Sequence, residues 1–285
     1  MSMQRLVPAI SISFVAMFFS SSLLAQGGPG FGNRVPIDLA GVWTVAYHED
    51  WIEVGTGPAV GDFTGLPLND AARQRALSWH PSVMAIPERQ CLPTPLDYGI
   101  FWTDFRIWHE YDPVTQDLVA YRIRKEWGGG EQTIYMDGRE HPSEYAPHTW
   151  QGFSTGEWVG NKLKVTTTHL KEGYSRRNGV PRSDRATMIH YYVRHDDHLT
   201  IVRIVEDPDY LTEPLIHTTN YTLNLYKDVG PWLCEYANEL GKEQGYVPKN
   251  FYWKNPFPEE FSKTFGFSME TTSGGAEQMY PDFIE

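Results

Sequence analysis

Cysteine is scarce. The 285 residues contain two, Cys91 in ERQCLP and Cys234 in PWLCEYANE, and no Cys-x-x-Cys or paired Cys/His spacing suited to zinc. Positive charge is also short, 24 Lys and Arg against 36 Asp and Glu, for a net charge of -12. Nucleic acids and anionic membranes demand clustered positive surface, so neither is an expected partner. Beyond residue 26 no apolar run is long enough to cross a bilayer, and no stable membrane insertion is expected. Internal repeats, low-complexity tracts and metal or cofactor motifs are missing too, and no cofactor is expected.

What is present starts with MSMQRLVPAISISFVAMFFSSSLLAQ. A basic residue, a short apolar run broken by serines and a small residue before Gln26 predict a secretory signal peptide over 1–25. The same run would also read as an uncleaved anchor. SSLLAQ resembles a lipoprotein box, with Gln26 where the lipidated cysteine would stand. The expected destination is periplasmic or extracellular. An oxidising compartment favours a Cys91–Cys234 disulfide, with two buried thiols as the other reading.

The middle of the chain reads as β structure. DLAGVWTVAYH, FWTDFRIWHEYD, DLVAYRIRKEW and EQTIYM are rich in aromatic and branched residues and separated by turn signals. GEWVGNKLKV predicts a hairpin turning at Gly160-Asn161, and IHYYVRHDDHLTIVRI another turning at Asp196-Asp197. Eight or nine strands with short connections predict a mainly antiparallel barrel, with a two-sheet sandwich as the alternative. Asn69 or Asp70 can cap a short helix over residues 71–77, and Pro231 to Gly241 reads as another. HPSVMAIPERQCLPTPLDYG reads as an extended covering loop, and YSRRNGVPRSDR as a solvated hairpin loop. Residues 26–245 form the expected barrel domain. Residues 246–285, with FYWKNPFP and FGF, form an irregular aromatic extension expected to pack on the barrel.

Two resemblances arise from these residues. GVW resembles the Gly-x-Trp of lipocalin and other calycin barrels, which implies that the tryptophan plugs the closed end. DGREHP, TWQGFSTGEWVGNKLKV, RRNGVPRSDRATMIHYY and VEDPDYLTEPL resemble an uncharacterised family of secreted bacterial proteins. Its members share Asp-Gly-Arg-x-His-Pro, Gly-x-Ser-x-Gly-x-Trp and Asp-Pro-x-x-Tyr patterns. The similarity spans roughly residues 38–239 and implies an exported lipocalin-like fold. At His190-Tyr191 many related sequences have Glu followed by His or Arg, so a carboxylate role there does not carry over.

Several residue groups suggest chemistry. Gly152-Phe-Ser154-Thr-Gly156 fits a hydrolase elbow, but such an elbow needs a following helix, and a hairpin follows here. His195 and His198 flank a hairpin tip without an evident third metal ligand. In KLKVTTTHL, period-two alternation puts Leu163, Val165, Thr167 and then His169 on one inward row. Met188, His190 and Tyr192 form one face of their strand, and Ile189, Tyr191 and Val193 the other; either could be buried. Catalytic candidates are therefore His169, His190 and Tyr192, the histidines as general bases. Asp137, Arg139 and His141 of DGREHP make either a structural turn or a ligand-orienting cluster, joined by Arg106 and Trp150 as ligand contacts. The expected function is binding of a small apolar or aromatic molecule in the barrel. The alternative is a lyase, isomerase or hydrolase using a cavity histidine.

Overall fold

A computed structural model describes residues 35–47, 58–99 and 103–283; the expected signal peptide lies outside them. Eleven strands occur in it: β1 Gly41–Val45, β2 Phe105–Tyr111, β3 Leu118–Lys125, β4 Glu131–Tyr135, β5 Phe153–Val159, β6 Lys162–Thr168, β7 Gly173–Tyr174, β8 Pro181–Arg182, β9 Thr187–His195, β10 His198–Glu206 and β11 Leu215–Leu223. Nine close into a barrel in the order β1-β11-β10-β9-β6-β5-β4-β3-β2, while β7 and β8 make a separate ribbon. Both expected hairpins form at the expected turns, Gly160-Asn161 and Asp196-Asp197. One pairing departs from the antiparallel expectation: β4 and β5 run parallel, joined by a crossover over residues 136–152 that carries DGREHP.

Period-two alternation builds the interior. Trp43, Phe105, Ile107, Tyr121, Ile123, Ile134, Leu163, Val165, Tyr192, Ile201 and Tyr221 form one buried cluster. Burying each large apolar side chain contributes roughly 1.5–3 kcal/mol. Trp43 is fully buried, and its indole N–H donates to the Leu39 carbonyl at 3.0 Å. The Arg194 guanidinium lies 5.2 Å from its ring centre and donates to the Asp38 carbonyl. A cation over an aromatic face is favourable, and here it helps close that end.

Five short helices occur among the described residues, more than the one or two expected: α1 Asp70–Leu77, α2 Pro87–Gln90, α3 Leu96–Gly99, α4 Pro256–Phe265 and α5 Met269–Thr272. Asn69 caps α1 by accepting from the Ala72 N–H. The proline-rich segment expected to be extended instead forms α2, α3 and a 3-10 turn, Pro81–Ala85. Proline at a first helical position costs no hydrogen bond, which is why Pro81 and Pro87 start turns here. Pro231 to Gly241 is not helical. Its chain is tied down by the Cys91–Cys234 disulfide and by paired 2.8 Å bonds between the Gln90 amide and the Ala237 backbone.

The basic YSRRNGVPRSDR run is not a solvated loop, because Asn178, Val180, Arg182 and Ser183 are buried. Gly179 permits this: at φ +92 its Cα sits so close to Trp79 that a Cβ would lie 2.5 Å from the indole. The C-terminal extension contains α4 and packs against the α1 region. Asn255 donates to the Leu77 and Trp79 carbonyls, and the Phe63 N–H donates to the Thr272 carbonyl. Many of its aromatics, including Phe251, Trp253 and Phe265, stay exposed.

Candidate functional site

The barrel interior is apolar near Trp43 and polar toward its other end. There α3 acts as a plug, with Leu96 packed against Leu170, Met188 and Val205. Beneath it the register aligns His190 with Val165 on one side and Arg203 on the other, and Arg203 in turn with His217. His190 is 0 % exposed, so the Met188-His190-Tyr192 face is the inner one. Among the described residues neither ring nitrogen of His190 has a hydrogen-bond partner, and neither does the Tyr192 hydroxyl or the Thr219 hydroxyl. Burial pushes the His190 imidazole down to about 3, and Arg203 pushes the same way. Burial, Arg203 and Arg176 take His217 down to about 4. Both rings are uncharged at neutral pH.

Asp97, on α3, is the carboxylate at the centre of this layer. It faces the Arg182 Nε at 3.2 Å and accepts from the Ser175 hydroxyl at 2.6 Å, while its backbone carbonyl accepts from Arg203. Lys125, at the inward end of β3, is 3 % exposed. Its ammonium donates to the Thr94 hydroxyl at 2.9 Å and to the Thr94 carbonyl at 3.2 Å. Burial brings its pKa from 10.5 down to about 7, opposed by Asp97. Across the layer Gln132 donates to Ser154 at 3.0 Å, and Ser154 bonds Thr167 at 2.8 Å. Ser154 is fully buried as the second residue of β5, so Gly-x-Ser-x-Gly here is a strand entry and not a nucleophile elbow.

Outside the plug lies a cavity of about 210 Å³. Trp127, Trp150 and Trp232 line it, with Tyr98, Tyr174 and Leu92, and Arg89, Arg176, Arg177 and Glu239 also border it. Five separate stretches of chain converge there. Gly128 and Gly129 let the β3–β4 turn approach closely: a Cβ on Gly129 would sit 2.8 Å from the Trp232 ring. The disulfide joins Cys91, between wall residues Gln90 and Leu92, to Cys234, two residues beyond Trp232.

The sequence-predicted residues fall in three places. Tyr192 and His190 point into the barrel, and Trp150 lines the outer cavity. His169 does not extend the inward row of Leu163, Val165 and Thr167. It adopts φ +56 just after β6 and breaks the alternation. Its ring bonds Thr168 and the Ser143 carbonyl, with His148 5.2 Å away. The two candidate histidines are thus not brought together. His141 bonds Thr155 and Thr168 on the outward side of β5 and β6. Asp137 and Arg139 pair with each other in the crossover, the guanidinium 3.7 Å from the centre of the Tyr135 ring. Arg106 alternates outward from Phe105 and Ile107 and pairs with Asp228 at 3.3 Å, so it is not a lumen contact. Among the described residues no group of three or more His, Cys, Asp or Glu could hold a metal ion, and His195 and His198 sit at an exposed hairpin tip.

Sequence reasoning passed over Lys125, Arg203 and Asp97. The first two were readable: Tyr121-x-Ile123-x-Lys125 and Leu199-x-Ile201-x-Arg203 carry the inward phase straight onto a cation. Compared with family models, curated proteins and solved structures, the chain finds no match.

Proposed function

We propose that the protein is an exported barrel that binds a small aromatic or largely apolar molecule at its capped mouth. The observation that carries this reading is the 210 Å³ cavity walled by Trp127, Trp150 and Trp232. Aromatic walls give wide apolar contact at low rotamer cost. The barrel beneath it, with its buried apolar cluster, is a support for that site. Export is supported by the N-terminal apolar run and the disulfide. The test is native mass spectrometry of the exported protein for co-purifying small molecules, with Trp150→Ala and Trp232→Ala beside it. Bound aromatic compounds that disappear in both variants are the expected result. Compounds retained in both reject the cavity as the site.

A second reading is favoured by one observation, the unpartnered imidazole of His190 beside Tyr192 and Arg203. In it, an enzyme uses His190 alone as a neutral proton acceptor, without His169. His190→Ala would then abolish turnover in a folded protein.

A further inference from the structure

We propose that the molecule taken by the mouth cavity is an aromatic carboxylic acid, its carboxylate received by Arg89 and drawn inward by Lys125. This rests on the reading of the cavity as an aromatic binding site and adds the charge of its occupant.

The net charge of the chain is -12, yet cations gather here. Arg89, on α2, lines the cavity with its guanidinium 5.3 Å from the Tyr174 ring centre. No carboxylate among the described residues lies within ion-pair distance of it, and the groups that perturb it are burial and Arg75, both unfavourable to its charge. An arginine fork stacked on an aromatic face, with its hydrogens unclaimed by any acid, is built to receive a planar carboxylate.

Lys125 supplies an independent observation. It lies immediately behind Thr94, a residue that borders the cavity. An ammonium has three hydrogens, and Thr94 receives two bonds from this one. The carboxylate that acts on it, Asp97, is already held by Arg182 and Ser175. A buried cation without its own counter-ion is costly, and a ligand carboxylate on the far side of Thr94 offsets that cost. The Glu239 carboxylate at the rim is exposed to solvent and answers neither cation. A neutral aromatic ring would fill the walls and leave both cations as they are.

The experiment compares 2-naphthoate with 2-naphthylmethanol, the same rings without the charge, by quenching of the cavity tryptophans. The acid should bind about tenfold or more tighter than the alcohol, as expected for a charge-assisted contact in a partly dry site. Arg89→Met and Lys125→Met should each shrink that ratio, Arg89→Met to within about threefold. Arg89 lies on a covering helix, so its variant tests the idea even where a change at Lys125 perturbs the barrel. Equal affinity of acid and alcohol overturns the carboxylate assignment and leaves the aromatic site standing. A ratio unchanged in both variants overturns the assignment to these residues. If neither compound binds, the aromatic site falls, and this inference with it.

Discussion

His190 and Arg203 stand opposite each other in the β9–β10 ladder, both directed into the barrel. An imidazole in that position resists protonation, because its proton would be desolvated and would face a guanidinium. The folded ring titrates near 3 and an ordinary one near 6.5. Below about pH 6.5 the unfolded chain takes up a proton that the folded chain refuses, and stability falls as pH drops. The loss runs at about 1.4 kcal/mol per pH unit for this group alone, down toward the folded value. His190→Gln should therefore be less acid-sensitive than wild type. Urea denaturation at pH 7 and pH 5 would show it, and equal slopes in the two proteins would count against it.

Lys125 gives a dependence at the other end of the scale. Its folded pKa of about 7 lies below the ordinary 10.5. Between these values the unfolded chain holds the proton and the folded chain does not, so stability climbs as pH rises from 7 toward 10.5. At pH 7 or below the full cost of the buried charge is present. Lys125→Met should stabilise the unliganded protein by about 1–4 kcal/mol at pH 7. That gain should shrink by pH 10. Thermal melts of both proteins at the two pH values measure this.

Reducing the disulfide should loosen the cavity before it unfolds the barrel. Residues 231–239 form no regular element, and the wall residue Trp232 depends on the Cys91–Cys234 bond and the Gln90–Ala237 contacts for its position. The Cys91→Ser, Cys234→Ser double variant should keep its β-type circular dichroism while losing about tenfold in affinity for the aromatic probe. Because 143 residues separate the two cysteines, the cross-link also removes about 5 kcal/mol of unfolded-state entropy in the loop-closure estimate. A lower melting temperature should accompany the weaker binding. Unaltered affinity in the double variant would show that Trp232 holds its place without the bond.

Much of the barrel was legible because strand alternation is a local signal. Leu163, Val165 and Thr167 point inward as their spacing demands, and both hairpin turns fall at the residues that favour them. His169 was misplaced for an equally local reason: one residue at positive φ reverses the phase, and nothing about histidine announces that conformation. The segment from Pro231 to Gly241 has helix-start and helix-stop residues, but its backbone groups answer to Gln90, about 147 positions away in the chain. Tertiary partners outweigh propensity there. The cavity was the least visible feature. Its walls come from residues 84–98, 127–128, 150 and 173–177, and from Trp232 and Glu239, and no spacing rule connects them.

The parallel seam between β4 and β5 follows from counting. A walk once around a closed ring reverses direction at every antiparallel junction and must return to its starting sense, so such junctions come in even number. Nine strands make nine junctions, eight of them antiparallel, and the ninth has no choice but to be parallel. The chain must then travel back along the outside of the cylinder before β5 can begin. That return strap is the stretch bearing Asp137, Arg139 and His141, and the bonds from His141 to Thr155 and Thr168 fasten it down. Its motif is the arithmetic of an odd barrel written in side chains.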